Sequence, residues 1–118
     1  TFTATAFEAV TEGDALFMRT SDGKVGKASA ANGLLENASV IGFAQISALT
    51  DESLQVVVAG LKDISGLDAG DLFFLSATTA GAITATPPSS AGQAVVRIGE
   101  AATATKLSIQ IEPPIKLS

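Results

Sequence analysis

Gly13-Asp14-Ala15-Leu16-Phe17-Met18 is answered 57 residues on by Gly70-Asp71-Leu72-Phe73-Phe74-Leu75. Val40-Ile41-Gly42-Phe43-Ala44 is answered at the same spacing by Arg97-Ile98-Gly99-Glu100-Ala101. Between these anchors, Gly23-Lys24-Val25 matches Gly81-Ala82-Ile83 with one residue inserted. After them, Leu54-Gln55-Val56-Val57-Val58 matches Leu107-Ser108-Ile109-Gln110-Ile111 across a shorter turn. Two copies do not make a solenoid, whose units stack in longer series. They predict a single domain over residues 1–118, with similar halves at about 13–60 and 70–112 and terminal arms at 1–7 and 113–118.

The periodicity within each half is that of strands. Leu107-Ser108-Ile109-Gln110-Ile111 alternates apolar and polar residues, as a strand with one wet face does. Leu54, Val56 and Val58 form the corresponding inward row. Leu16-Phe17-Met18 and Leu72-Phe73-Phe74-Leu75 are unbroken apolar runs, which fit strands covered on both faces. Ser21-Asp22-Gly23 carries the chemistry of a hairpin turn, and Thr79-Ala80-Gly81 takes its place in the second copy. Thr50-Asp51-Glu52-Ser53 separates two further strands. Pro87-Pro88 and Pro113-Pro114 mark loops or sheet edges, because proline donates no ladder hydrogen bond. Asn32-Gly33-Leu34-Leu35-Glu36-Asn37 has room for a helical turn. The expected fold is mainly β: a small barrel or sandwich of two four-stranded halves related by an approximate twofold axis.

Composition narrows the chemistry. The 118 residues contain no cysteine and no histidine, so disulfides, thiolate metal sites and every histidine-dependent triad or zinc centre are ruled out. A net charge of −5, with scattered basic residues, argues against nucleic acid and anionic membrane surfaces as partners. No apolar run approaches the length of a spanning helix. The amino-terminal stretch lacks the basic and apolar regions of a signal peptide. We read it as following a removed initiator methionine, with synthesis in the cytoplasm of a host.

Asp14 and Asp71 each follow a glycine and precede an apolar strand. A carboxylate pair for acid–base work or a hard cation is one reading. Acceptance of backbone amides at a turn is the other, and duplication favours it. Gly42 and Gly99 are assigned with them as structural turn positions. Asp51-Glu52 and Asp22 lack the spacing of a calcium loop, and the glycines form no phosphate-binding motif. No catalytic residue, cofactor or metal is expected. Phe2 and Phe7, with Ile115 and Leu117, lie outside both copies and are the expected partner contacts.

The stretch Gly66-Leu67-Asp68-Ala69-Gly70-Asp71-Leu72-Phe73-Phe74-Leu75, continuing through Gly81-Ala82-Ile83, Pro87-Pro88, Ile98-Gly99-Glu100-Ala101 and Leu107–Ile111, resembles a module of tailed-bacteriophage structural proteins. The first copy, with Gly13-Asp14-Ala15-Leu16-Phe17, Gly23-Lys24-Val25, Ile41-Gly42-Phe43-Ala44 and Val56-Val57-Val58-Ala59-Gly60, is similar to small phage capsid decoration (cement) proteins. The resemblance covers most of the chain and brings no catalytic residue with it. It implies a non-enzymatic virion protein on the outer capsid surface, bound to the major capsid protein and to itself as a homotrimer. Related modules in tail fibres and baseplates imply the alternative, a β module that binds a receptor or tail partner.

Overall fold

In the computed structural model, which describes residues 1–31 and 35–117, twelve strands and one helical turn follow one another along the chain. Strands β1 (Phe2–Thr5), β2 (Ala15–Met18), β3 (Val25–Lys27), β4 (Val40–Ala44) and β5 (Ser53–Val57) make one sheet, in the order β1-β5-β4-β2-β3. Strands β6 (Gly60–Asp63), β7 (Leu72–Leu75), β8 (Ile83–Thr84), β10 (Arg97–Thr103) and β11 (Lys106–Ile109) make a second, in the order β6-β11-β10-β7-β8. A two-stranded ribbon pairs β9 (Ala94–Val95) with β12 (Ile115–Lys116). The helical turn α1 spans Leu35–Ala38; residues 32–34 of the expected turn lie outside the described residues.

The protein is thus mainly β, and all the strand ladders are antiparallel. Neither large sheet closes into a barrel. The first comes near to it: a single parallel bridge joins Ala6 to Val25, and the Phe7 amide donates to the Val25 carbonyl at 2.9 Å. Each large sheet has five strands where four per half were expected. The extra ones are β1 and β6, and β1 lies in the segment read as a free arm.

Side-chain alternation explains how the core is divided. In β2, Ala15 and Phe17 point into one apolar cluster and Leu16 into another. Leu16 joins Val25, Ala44, Leu54 and Val56 within the curl of the first sheet, beneath Ala4, Ala6 and Val10. Ala15, Phe17, Val40 and Phe43 share the larger cluster with Phe73, Leu75, Ile98 and Leu107 of the second half. Burying a leucine of this kind is worth about 1.5–3 kcal/mol. The unbroken apolar run of β2 therefore serves two cores. That of β7 serves one: Phe73 and Leu75 are buried, whereas Leu72 is exposed and Phe74 half-buried. Val58, expected in the inward row with Leu54 and Val56, falls past the end of β5 and is exposed.

Turn chemistry is where the residues placed it. Gly23 and Gly81 adopt φ of +73° and +81° at the β2–β3 and β7–β8 reversals. Asp51, at φ +67°, turns the chain into β5. Gly42 and Gly99, by contrast, are not turn residues. They lie inside β4 and β10, opposite Leu16 and Phe73, beside register shifts in the ladder. A Cβ on Gly42 would sit 2.5 Å from the Val57 carbonyl oxygen, and one on Gly99 would overlap the Ser108 carbonyl oxygen. Close backbone approach, not reversal, demands glycine there.

Candidate interaction surface

The carboxylates are dispersed, and most are engaged locally. Asp14 Oδ2 accepts the Thr11 amide at 2.8 Å. Asp71 is different: its peptide groups are bonded to Asp68 and Ala101, but its exposed side chain makes no hydrogen bond among the described residues. Asp22 pairs with Arg19 at 2.6 Å and accepts the Lys24 amide. The Arg19 hydrogen bond, followed by the Lys24 amide, lowers the Asp22 carboxyl to about 2. Asp51 pairs with Lys24, Asp63 with Lys106, and Glu112 with Arg97. Lys106 also holds the Asp63 carboxyl below its ordinary value. Among the described residues, no three acidic side chains converge as a metal site would require.

Among the described residues, Lys62 is the one buried cation. It lies on β6 opposite Leu107, its stem packed away from water. Its ammonium donates to the Asp63 carbonyl at 3.3 Å and stands 3.9 Å from Glu12 of the first half. Nothing in the alternation of the sequence marked it, because β6 itself was not foreseen.

The expected contact residues fare unequally. Phe2 is half-buried on β1 and packs against the first-sheet core. Phe7 is held inside the chain, edge-on to Phe17 with ring centroids 5.6 Å apart, and its ring covers Gly26. Leu117 is half-buried, and its peptide groups bond to Gly92 and Gln93. Only Ile115 stands well out, 66% exposed on the β12 edge.

Other apolar side chains are as open. Ile46 and Leu49 project from the β4–β5 loop at 51% and 66% exposure, and Leu61 from β6 at 60%. Leu49 borders a shallow cleft of about 320 Å³ with Val10, Ala48 and Glu52. A signal for Ile46 was available: its counterpart 57 residues on is Thr103, so the repeat does not require an apolar residue there. A second cleft, of about 480 Å³, lies between the β7–β8 hairpin and the loop after it. Ser76, Thr78, Thr84, Ser90 and Gln93 line it, and among the described residues no charged side chain does.

This surface offers apolar loop contacts, an open strand edge and a neutral hydroxyl-lined cleft. Among the described residues no helix is long and apolar enough to cross a membrane. No protein-family model matches the chain, and no curated protein does.

Proposed function

We propose that this chain is a non-enzymatic virion structural protein, a capsid decoration protein that binds the outside of a phage head and clamps neighbouring major capsid subunits. The observation that carries the reading is the motif pair itself. The Gly-Asp-apolar strand and the glycine-bearing strand, on which the phage resemblance rests, are hydrogen-bonded neighbours in both sheets. Ala15↔Phe43, Leu16↔Gly42 and Phe17↔Val40 correspond at one spacing to Leu72↔Glu100, Phe73↔Gly99 and Phe74↔Arg97. The reading therefore includes an internal duplication, with β1 to β5 answered by β6, β7, β8, β10 and β11.

Cladding a shell needs no reaction. It needs a rigid body and a few apolar anchors, multiplied by symmetry. The body measures 34 × 33 × 19 Å, flattened along one axis. Ile46, Leu49 and Leu61 supply apolar anchors. Self-association as a homotrimer belongs to the same proposal.

A cryo-electron microscopy map of the parent virion tests it. The expected result is density for this fold on the outer head, over junctions between capsid subunits. Density in a tail fibre or baseplate would replace the head reading with the tail one, and absence from the particle would overturn both.

A further inference from the structure

We infer that copies of this chain join head to tail, the Gly23 tip of the β2–β3 hairpin in one copy seating on the Asp71–Leu72 strand start of the next. The contact already exists once within the chain, between its halves. Gly81, at the tip of the β7–β8 hairpin, is inserted between β2 and the residues after β3. The Ala15 amide donates to the Gly81 carbonyl at 2.8 Å, and the Gly81 amide donates to the Ala28 carbonyl at 2.7 Å. The Ala28 amide closes the set by donating to the Ala15 carbonyl at 2.9 Å. Glycine is required at the tip: a Cβ on Gly81 would lie 2.9 Å from Asp14 Cγ and 3.1 Å from Asp14 Cβ.

The chain holds both parts of this contact a second time, each without its counterpart. The Ala101 amide donates to the Asp71 carbonyl at 2.9 Å, as the Ala44 amide does to the Asp14 carbonyl at 2.9 Å. In an antiparallel ladder that bond turns the next peptide groups, those of Leu72, away from β10. On the side they face, the β7–β8 ladder ends at Phe74↔Thr84. Thr86, the next residue in register to reach Leu72, gives its amide to Thr84 Oγ1 instead. The Leu72 N–H and C=O thus form an unladdered strand start, a ready template for another chain.

The matching tip offers its carbonyl: the Gly23 amide donates to the Arg19 carbonyl at 2.8 Å, so the part of the contact that repeats is the Leu72 amide on the Gly23 carbonyl. Gly23 is exposed at φ +73°, close to the +81° of Gly81, and a Cβ there would meet nothing within 4 Å. Arg19 and Lys24 flank the tip, paired with Asp22 and Asp51, while Asp68, Asp71 and Glu100 around the strand start make no ion pair among the described residues. Such a contact is heterologous, so it closes into a ring or extends into a filament. The inference rests on the homotrimer reading only for the number of copies in the ring.

Because the chain has no cysteine, introduced thiols report the contact without background. Gly23→Cys and Asp71→Cys chains are prepared separately, mixed and oxidised. The internal precedent places the equivalent Cβ positions 3.1 Å apart, slightly closer than the roughly 3.5–4.5 Å of a disulfide, so a small outward shift of the tip lets the bond form. The mixed cross-linked pair is expected to dominate on a non-reducing gel. No cross-link, or equal amounts of all pairings, overturns the inference. In a second arm, Gly23→Asn keeps the reversal, since asparagine tolerates left-handed backbone, but sets a side chain against Asp71. By light scattering, association is expected to weaken by about tenfold or more, roughly 1.4 kcal/mol or above, with the melting temperature within a few degrees of the parent. Gly92→Asn, another open left-handed position, is expected to leave the mass unchanged. A trimer that persists in Gly23→Asn refutes this contact alone. A parent chain that is monomeric both in solution and on the virion refutes the trimer as well.

Discussion

Arg19 lies over the ring of Phe7, its guanidinium carbon 4.2 Å from the centroid, while its donors turn to the carboxylate of Asp22. The amino-terminal segment is thereby tied to the β2–β3 hairpin by an aromatic face and a charge. Phe7→Ala is expected to cost about 2 kcal/mol, less than a fully buried phenylalanine because the ring is half-exposed. Deletion of residues 1–7, which removes β1 with buried Ala4 and Ala6, is expected to abolish cooperative unfolding in urea. A truncated chain with an unchanged midpoint would restore the segment to the role of a free arm.

Acid should loosen the same hairpin. The Asp22 carboxyl titrates at about 2, below its ordinary 3.8. A folded value below the unfolded one stabilises fully above about pH 4, and that contribution fades as the pH falls toward 2. The pair is solvent-exposed, so the effect is small and screened by salt. Thermal melts at low ionic strength should show a flatter pH dependence for Asp22→Asn than for the parent between pH 4 and 2. Identical slopes would remove the pair from the stability of the fold.

The two aspartates of the repeated motif should part company. Asp14→Ala loses the bond to the Thr11 amide and is expected to cost about 1 kcal/mol. Asp71→Ala loses no intrachain bond and should stay within about 0.5 kcal/mol. Urea denaturation of both variants measures the difference, and equal losses would mean that the Asp71 carboxylate is engaged after all.

Gly42→Ala and Gly99→Ala should both destabilise, by about 1–3 kcal/mol, because an added methyl forces apart backbones that nearly touch. The loss should appear as a lower urea midpoint with an unchanged slope. Tolerance of either change would show that the β5 or β11 carbonyl moves aside freely.

Leu49→Asp places a charge on the most exposed apolar loop without touching the core. Its melting temperature should match the parent within a degree or two, while, on the proposed capsid reading, co-sedimentation with phage heads lacking the protein should fall by about tenfold. Undiminished attachment would move the docking face elsewhere, with Ile115 and Leu61 next to be changed.

What the residues revealed in advance follows local physics. Ser21-Asp22-Gly23 and Thr79-Ala80-Gly81 announce reversals because only certain backbones tolerate positive φ, and Leu107–Ile109 announces a strand by alternation. The strands β1 and β6 escaped notice because Phe2–Thr5 is rich in threonine and alanine, and Gly60-Leu61-Lys62-Asp63 hides a buried lysine among polar neighbours. Phe2 and Phe7 look surplus in the sequence because no local rule shows that Ala6 reaches Val25. Gly42 and Gly99 looked like turn residues because sequence distinguishes a positive φ from a close approach only through the neighbouring strand. The docking of Gly81 on Asp14 lay beyond any periodic signal, since it joins residues from different halves.

That docking has a thermodynamic corollary. With the Gly81 peptide spliced into the first hairpin, neither sheet can open while the other keeps all its bonds. Unfolding should therefore be a single event, with calorimetric and van't Hoff enthalpies in agreement. The amides of Ala15 and Gly81 should exchange with deuterium at the rate of global opening. The two five-stranded sheets are bound to melt together.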